Sequence, residues 1–296
     1  MKKLLLLSLL SLQFLNSISW AEEKKKEDLY SQLNRTIVRL EHIETIGQEG
    51  SDKKITKSNP DGTGFFVAGE GKLFIVSARH VVEQPYDLHA RVECINIISN
   101  QKEVILLKLK RNNWVFHPKR VDKDSHYVDV AAMRINWIKD RSIKHFNYHQ
   151  EHSGNNDKNH LPENDPAPPR SILVFGFPMD IGFELIKQRP FGRSGIISMK
   201  TGKKFLKMKI NGKNKLAEER CYIIDAKIFP GNSGSPIINQ TSFTDLKLQL
   251  LGLISASNLK MDFAIAEPVS RIRETIDLAK DQNVENINFW ILIKNE

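Results

Sequence analysis

Three side chains that together can break an acyl bond occur far apart in the sequence: His80, Asp129 and Ser233. A serine hydroxyl is a weak nucleophile until a base takes its proton, and a neutral imidazole is suited to that task near pH 7. A carboxylate can in turn fix the tautomer of the imidazole and stabilise its charged form. We therefore predict that these three residues form a catalytic triad.

The serine lies in the octapeptide Phe-Pro-Gly-Asn-Ser-Gly-Ser-Pro at positions 229–236. Glycines on both sides of a serine allow a sharp bend and a close approach of substrate to the backbone. Such a bend can direct the N–H groups of Gly231 and Ser233 at one point, as an oxyanion hole requires. The alternative is an ordinary turn, because Gly, Asn and Ser cluster in turns for local reasons.

The proposed base and acid both lie in apolar surroundings. His80 follows the apolar run 73–78 and precedes two valines, so its ring would be held rigidly at the end of a strand. Asp129 stands within the mostly apolar run 127–135, where a carboxylate is costly unless it is hydrogen-bonded. The alternatives are a core histidine with local partners and an aspartate exposed at a strand edge.

Short, evenly spaced apolar segments indicate a β-rich fold. Residues 206–210 alternate strictly, end at Asn211-Gly212 and return over 213–216, which predicts a hairpin. Helical patterns occur only near the ends, over 29–35 and from Pro268, where apolar residues recur at helical spacing. Further strands are predicted at 36–40, 73–76, 104–110, 171–174, 222–224 and 248–254.

The first residues have the pattern of an export signal. Two lysines precede an apolar stretch at 4–15, and Ser19-Trp20-Ala21 offers small residues for cleavage before Glu22. The apolar stretch is shorter than the roughly 20 residues of a membrane span. We therefore expect an exported protein, periplasmic or secreted, with no stable membrane insertion after cleavage. An uncleaved anchor is the alternative.

Composition indicates an ordinary globular protein, with 40% hydrophobic and 27% charged residues. Loss of residues 1–21 removes Lys2 and Lys3 and lowers the formal charge from +9 to +7. Because export separates the chain from cellular DNA, and basic and aromatic residues are not interleaved, we expect no nucleic-acid partner. We also expect no cofactor.

Two further groups of residues could have a chemical role: four histidines and two cysteines. Four histidines at 145, 149, 152 and 160 have a spacing that could bind a metal, but a solvated polar loop is favoured and no metal is expected. Cys94 and Cys221 lie in different halves of the chain. An exported chain could join them in a disulfide, or they could be two separate buried thiols.

The same segments resemble the trypsin-like serine peptidases of the chymotrypsin fold, in their exported bacterial branch. The resemblance covers residues 34–277, and its main motifs are Ser77-Ala78-Arg79-His80, Asp129-Val130-Ala131 and Gly231-Asn232-Ser233-Gly234-Ser235-Pro236. The order His, Asp, Ser also differs from the orders of α/β-hydrolases and subtilisins. Asn232 replaces the Asp of digestive members, which argues against activation through a new N-terminal amine. The Gly-Asn-Ser-Gly-Ser-Pro string is similar to that of glutamyl endopeptidases.

The resemblance implies an all-β fold of two antiparallel six-stranded β-barrels with a C-terminal helix and the triad in the cleft between them. The expected segments are a signal peptide at 1–21, a charged leader at 22–33, an N-terminal barrel at 34–140, a polar linker at 141–170, a C-terminal barrel at 171–267, and a C-terminal helix and tail at 268–296.

The implied activity is that of a serine endopeptidase that acts on polypeptide substrates through an acyl-enzyme. The resemblance places Lys227 and Ile228 near the wall of the pocket for the residue before the scissile bond. It also implies that Ser255, Ala256 and Ser257 offer an edge to the substrate backbone. A lysine pointing into that pocket would favour acidic substrate residues. The alternative function is a catalytically silent member of the fold that binds or chaperones envelope proteins.

Overall fold

A computed structural model gives the fold of the chain. It describes residues 28–47, 54–118, 128–147, 164–178, 189–202, 206–210, 213–217, 221–240, 248–258, 262–283 and 289–294. The expected signal peptide, at 1–21, lies outside these residues. In the part of the chain that is described, no helix is long and apolar enough to cross a membrane.

The N-terminal half is an antiparallel sheet that begins after a short helix, α1 (Leu29–Thr36). Asp28 caps this helix by accepting the N–H of Ser31 at 2.9 Å. The strands of this half are β1 (Ile37–Gly47), β2 (Lys54–Gly69), β3 (Lys72–Ser77), β4 (Leu88–Asn96), β5 (Lys102–Leu109), β6 (Val115–Phe116), β7 (Ala131–Ile135), β8 (Arg141–Ser142) and β9 (Phe146–Asn147). A one-turn helix, α2 (Arg79–Val82), follows β3, and a 3-10 turn at Arg111–Asn113 follows β5.

The C-terminal half is a closed six-stranded barrel. Its strands are β10 (Arg170–Gly176), β11 (Phe191–Lys200), β14 (Tyr222–Asp225), β15 (Pro236–Asn239), β16 (Leu250–Asn258) and β17 (Phe263–Pro268), and it closes in the order β10-β11-β14-β17-β16-β15. A separate hairpin consists of β12 (Leu206–Ile210) and β13 (Lys213–Ala217). Helix α3 (Val269–Ala279) follows the barrel, and β18 (Phe289–Lys294) pairs with β5 in the N-terminal sheet.

One apolar cluster lies within the barrel, and a larger one extends from the N-terminal sheet into α3 and part of the barrel. The alternating residues of the barrel strands, including Ile172, Ile224 and Ile237, form one buried cluster. The apolar face of α3, with Ile272 and Ile276 buried, belongs to this larger cluster, which also includes side chains of β15 and β16. Burial of one stripe explains the helical spacing that the sequence shows here.

The all-β fold with a closed barrel and a C-terminal helix confirms the predicted fold class. The strands at 206–210 and 213–217 pair as predicted, although the Asn211-Gly212 turn lies outside the described residues. Three details differ from the prediction. Among the described residues the N-terminal sheet has ten strands rather than six, the segment expected as a linker supplies β8 and β9, and the expected tail supplies β18.

Candidate active site

Strand pairing brings His80 and Asp129 together. Strand β3 ends just before the helix that carries His80, and β7 begins just after Asp129. The two strands are antiparallel, with Ser77 opposite Ala131, so the end of one meets the start of the other. Val81 and Val130 are buried beside the two polar side chains and anchor them to the core.

The contact between the two side chains is direct. Nδ1 of His80 lies 2.6 Å from Oδ2 of Asp129, and the backbone N–H of His80 donates to Oδ1 of the same carboxylate at 2.9 Å. Two bonds from one residue fix both the position and the orientation of the imidazole. The imidazole side chain is 46% exposed, and Nε2 contacts no hydrogen-bonding partner among the described residues. This nitrogen is therefore available to a reacting group.

The environment of Asp129 favours its charged form. Burial by itself would raise the pKa of this carboxyl, but the charge of His80 and the hydrogen bonds from His80 and Ser255 lower the pKa to about 2. The hydroxyl of Ser255 donates to Oδ2 at 2.7 Å. A carboxylate held ionised in this way can stabilise an imidazolium at any working pH.

Two contacts in this network were not anticipated. The backbone of Ser255 is part of the predicted substrate edge, and its hydroxyl in addition donates to Asp129. Glu267, at the end of β17, is 4% exposed and accepts the backbone N–H of Asp129 on Oε1 at 3.1 Å. In the sequence, Glu267 is an acidic residue within the apolar run 263–268, and the same kind of pattern indicated Asp129.

Ser233 lies in a tight turn between β14 and β15. Gly231 and Gly234 have φ values of 90° and 82°, which favour glycine. The turn is held by bonds from the Asn232 N–H to the Phe229 carbonyl at 3.1 Å and from the Gly234 N–H to the Ile254 carbonyl at 2.8 Å. The N–H groups of Gly231 and Ser233 donate to no other described residue. Two amides beside Ser233 are therefore not engaged by other described residues.

The backbone places Ser233 beside the helix of His80. A Cβ atom built on Gly62 would lie 3.1 Å from the carbonyl oxygen of Ser233 and 2.8 Å from Cγ1 of Val81, the residue after His80. The helix of His80 and the turn at residues 229–235, which we call the nucleophile turn after the predicted role of Ser233, therefore both lie beside Gly62 of β2. Among the described residues no hydrogen bond joins His80 to Ser233. Such bonds often form only when substrate is bound.

Thr63 is a further residue that sequence reasoning missed. Its hydroxyl donates to the carbonyl of Gly231 at 2.8 Å and accepts the N–H of Phe177 at 3.0 Å, while its own N–H donates to the carbonyl of Ser233 at 2.9 Å. One threonine of the N-terminal sheet thus fixes two carbonyls of the nucleophile turn. In the sequence, the position of Thr63 between Gly62 and Gly64 is the feature that could have indicated this role.

The residues predicted to contact substrate differ in how far their side chains are exposed to solvent. Lys227 is exposed, and its Nζ lies 5.8 Å from the centre of the Phe229 ring. Ile228 is 3% exposed and belongs to the core of the barrel, so its side chain offers little surface to a ligand. Ala256 is buried and Ser257 is half-buried on β16.

The two cysteines are separate buried thiols rather than a disulfide. Burial raises the pKa of the Cys94 thiol to about 12, which makes it unreactive in the folded state. In the described parts of the chain no three His, Cys, Asp or Glu side chains are grouped as metal ligands. Of the four histidines whose spacing could bind a metal, only His145 belongs to the described residues. The histidines at 149, 152 and 160 lie outside the described residues.

Comparisons with known proteins concern the family and the fold. A family model described as the trypsin-like peptidase domain matches residues 62–243. No curated protein matches the chain. Among solved structures, the HtrA-type protease AlgW with a decapeptide is 13% identical with a TM-score of 0.50, over 84% of this chain and 66% of that one.

Two further solved structures are similar at lower TM-scores. AlgW with a tripeptide is 15% identical with a TM-score of 0.48, and the match covers 85% of this chain and 62% of that one. The Rv3671c protease from M. tuberculosis in its active form is 14% identical with a TM-score of 0.46, over 86% of each chain. The present chain thus spans less than two thirds of the first of these relatives. Since the family model matches more than half of the sequence, the chain belongs to the trypsin-like peptidase domain family.

Proposed function

We propose that this protein is an exported serine endopeptidase that uses Ser233 as nucleophile, His80 as general base and Asp129 as the residue that orients the base. One observation carries the proposal: the 2.6 Å contact of His80 Nδ1 with a carboxylate, which leaves Nε2 available beside the nucleophile turn. Membership of the trypsin-like family supports the same reaction.

The reaction follows from these positions. Nε2 of His80 takes the proton of the Ser233 hydroxyl as Oγ attacks the carbonyl carbon of the substrate. Asp129 stabilises the imidazolium, which then gives its proton to the leaving amine as the C–N bond breaks. A water molecule, deprotonated by the same imidazole, then attacks the acyl-enzyme. The bond between the acyl carbon and Oγ breaks, Oγ takes the proton back from the imidazolium, and the acid is released.

The amides of Gly231 and Ser233 would bind the oxyanion that forms at each tetrahedral step. In serine peptidases the loss of one such donor costs roughly 2.7–4 kcal/mol of transition-state stabilisation. Two features hold the backbone on either side of Gly231. Its positive φ sets the peptide unit before it, and the hydrogen bond from Thr63 to its carbonyl holds the peptide unit after it.

The end of β16 is suited to a peptide substrate. Strand β15 pairs with β16 only as far as Leu253, and β17 covers the other side of residues up to Asn258. One edge of residues 255–258 therefore has no partner among the described strands. An extended substrate could add to this edge, with its side chains directed alternately to the two faces. The similar fold of AlgW, whose structure holds a decapeptide, supports a polypeptide substrate.

Export is part of the proposal, because residues 1–21 have the charged, apolar and small-residue segments of a signal peptide. The test is fractionation of a bacterial host that expresses the full chain or the chain from Glu22. We expect the full chain in processed form outside the cytoplasm and the shortened one inside. Retention of an unprocessed full chain in the cytoplasm would contradict export.

Covalent labelling by a fluorophosphonate probe tests the chemistry. We expect labelling of the purified protein, loss of labelling in Ser233→Ala and strong loss in His80→Ala. The matched control is Ser198→Ala, which removes an exposed serine on β11. Absence of labelling in a folded wild type, or equal labelling of Ser233→Ala, would refute the peptidase and favour a silent binding module.

A further inference from the structure

Two adjacent isoleucines are exposed at the turn between β4 and β5. Ile97 is 64% exposed and Ile98 is 82% exposed, the two highest values among the large apolar residues that the structure describes. Single apolar residues on a surface are ordinary, but turns are usually built from Gly, Asn, Asp, Ser and Pro. We call these two isoleucines the apolar tip.

Hydrogen bonds hold the apolar tip in its exposed position. Oδ1 of Asn96 accepts the N–H groups of Ile98 at 3.0 Å and of Ser99 at 3.1 Å. The N–H of Asn96 donates to the carbonyl of Gln101 at 2.8 Å, which closes the turn. Because the backbone of the turn is bonded in this way, the isoleucines cannot fold inward unless these bonds break.

A buried ion pair supports the turn. Nδ2 of Asn96 donates to Oε1 of Glu103 at 2.9 Å, and Nε of Arg141 lies 2.6 Å from Oε2 of the same carboxylate. Glu103 is 1% exposed. The N–H of Ile97 donates to the carbonyl of Asp140 at 3.0 Å, so the turn is also bonded to the segment before β8. Firm support of apolar side chains in water departs from the usual composition of a turn, and such departures are expected at functional surfaces.

Positive charge and a tryptophan lie at the same end of the sheet. Lys139 is exposed and forms no ion pair with a described residue. The side chain of Lys102 is 48% exposed, and Asp140, also exposed, offsets one of the two charges. Trp137 is 46% exposed, and its Nε1–H donates to the carbonyl of Gly71 at 3.0 Å. Apolar residues with a tryptophan and flanking lysines are typical of surfaces at the boundary between water and lipid.

This end of the sheet is opposite the proposed active site. Strands β3 and β7 pair with Leu73 opposite Ile135 at one end and with Ser77 opposite Ala131 at the other. Trp137 follows the first pair, whereas the predicted base and acid adjoin the second. The six residues of β3 span about 20 Å. A surface bound at the apolar tip therefore leaves the proposed active site accessible from water.

The size of the exposed group favours a lipid surface over a protein partner. A stable protein interface buries ~800 Å² per partner and takes about 20–30 residues from each side. The apolar tip, Trp137, Lys102 and Lys139 amount to five side chains. A bilayer requires no complementary shape, and its anionic head groups attract the formal charge of +7 that the chain from Glu22 carries.

We propose that the apolar tip inserts into the surface of an anionic phospholipid bilayer and attaches the exported protein reversibly to a membrane. This inference goes beyond the proposed peptidase function, and it needs export but not catalysis. The two isoleucines enter the boundary between head groups and acyl chains. Trp137 lies at the level of the head groups. Lys102 and Lys139 pair with lipid phosphates.

Sedimentation with phospholipid vesicles measures this binding. The purified protein is mixed with phosphatidylcholine vesicles, with or without phosphatidylglycerol, in ~0.1 M NaCl, where exposed charges still act over about 10 Å. We expect the wild type to bind the vesicles that contain phosphatidylglycerol. The double substitution Ile97→Ser with Ile98→Ser should lower the partition coefficient at least about tenfold, because two apolar side chains no longer enter the bilayer. Lys139→Gln should lower it about fivefold, and only where the anionic lipid is present.

The matched control is the double substitution Ile196→Ser with Met199→Ser on β11, where the two residues are 43% and 42% exposed. It removes two exposed apolar side chains from the barrel and should leave the partition coefficient unchanged. All variants share the same N-terminus, so a contribution of the apolar stretch at 4–15 is common to them. Thermal unfolding shows whether each variant remains folded.

Equal partitioning of the tip variant and its control, or no binding of the wild type to either kind of vesicle, would overturn the inference. Equal binding with and without phosphatidylglycerol would contradict the choice of an anionic surface. A wild-type dimer that the tip substitutions dissociate, without vesicle binding, would make the tip an interface between two copies of the chain. Fluorophosphonate labelling of Ser233 is measured separately, because its absence refutes the peptidase and leaves the result on membrane binding standing.

Discussion

The carboxylate of Glu267 accepts the backbone N–H of Asp129 at 3.1 Å, across the boundary between the two halves of the protein. Asp129 precedes β7 of the N-terminal sheet, whereas Glu267 belongs to β17 of the barrel. Oε2 of the same side chain lies 3.8 Å from Sγ of Cys221. A single buried side chain therefore fixes the residue that orients His80 against the half that carries Ser233.

Glu267→Ala tests the importance of this contact. Loss of the carboxylate leaves a buried N–H unsatisfied, which costs about 1–3 kcal/mol, and allows the segment of Asp129 to shift. We expect kcat to fall about tenfold or more with little change in KM, and Glu267→Gln, which keeps an acceptor oxygen, to recover most of the activity. The measurement is steady-state kinetics together with thermal unfolding.

The control for that experiment is Ile276→Val on α3, which removes a buried methyl group and lowers stability by about 0.5–1.5 kcal/mol. It should not change kcat. If Glu267→Ala behaves like this control, with lower stability and full kcat, the carboxylate has only a structural role.

Thr63→Val removes the hydroxyl that connects the Gly231 carbonyl with the Phe177 N–H, and preserves the shape of the side chain. Because the nucleophile turn loses one anchor, we expect slower fluorophosphonate labelling of Ser233 and a drop of about tenfold in kcat/KM. Thr63→Ser keeps the hydroxyl and should label at nearly the normal rate. Equal rates for the two variants would show that the turn is held without this bond.

Gly234→Ala is expected to be severely destabilising. Its φ is 82°, and an added Cβ would collide with the carbonyl oxygen of Thr63 and Oγ of Ser77. Gly71→Ala is the matched control, because its φ is 68° but nothing lies within 4 Å of the added atom. The control should lose only the roughly 1–2 kcal/mol of the left-handed conformation. Urea unfolding that gives equal losses for both variants would contradict the collision.

The low pKa of Asp129 predicts a pH-dependent contribution to stability. In the folded protein this pKa is about 2, against about 3.9 for an unperturbed Asp, so the carboxylate stabilises the fold above pH ~4. That contribution, on the order of 2 kcal/mol, is lost as the pH falls through the folded pKa. The difference in unfolding free energy between wild type and Asp129→Asn should therefore shrink between pH 4 and pH 2.

Urea unfolding at a series of pH values provides that comparison, with Asp281→Asn, an exposed residue after α3, as the control. A difference between wild type and Asp129→Asn that stays constant down to pH 2 would mean that the pKa of Asp129 is not depressed in the folded state.

Local patterns were enough to predict a β-rich fold, the paired strands within 206–216 and helix α3, because each depends on periodic burial within one segment. The closed barrel was predicted from the family resemblance. Local patterns also indicated the residues of the triad, since a carboxylate in an apolar run and a serine between glycines are locally unusual. The roles assigned to these residues stay predictions until labelling and kinetics are measured.

What sequence could not provide were contacts between segments distant along the chain. Thr63 and Gly231, or Glu267 and Asp129, meet only through the packing of the two halves. Nor did residue type indicate that Ile228 would be buried in the barrel core while Lys227 is exposed beside it. Side-chain direction at a turn depends on backbone geometry that no single-sequence pattern encodes.

The pairing of β18 with β5 has a consequence for biosynthesis. Strand β5 lies next to the edge of its sheet, and β18 alone covers its outer side among the described strands. During translation that side stays open until residues 289–294 have left the ribosome. The N-terminal sheet is thus the first part to be synthesised, but it receives its last strand only after the barrel is complete. The protein therefore cannot fold strictly from the N- to the C-terminus.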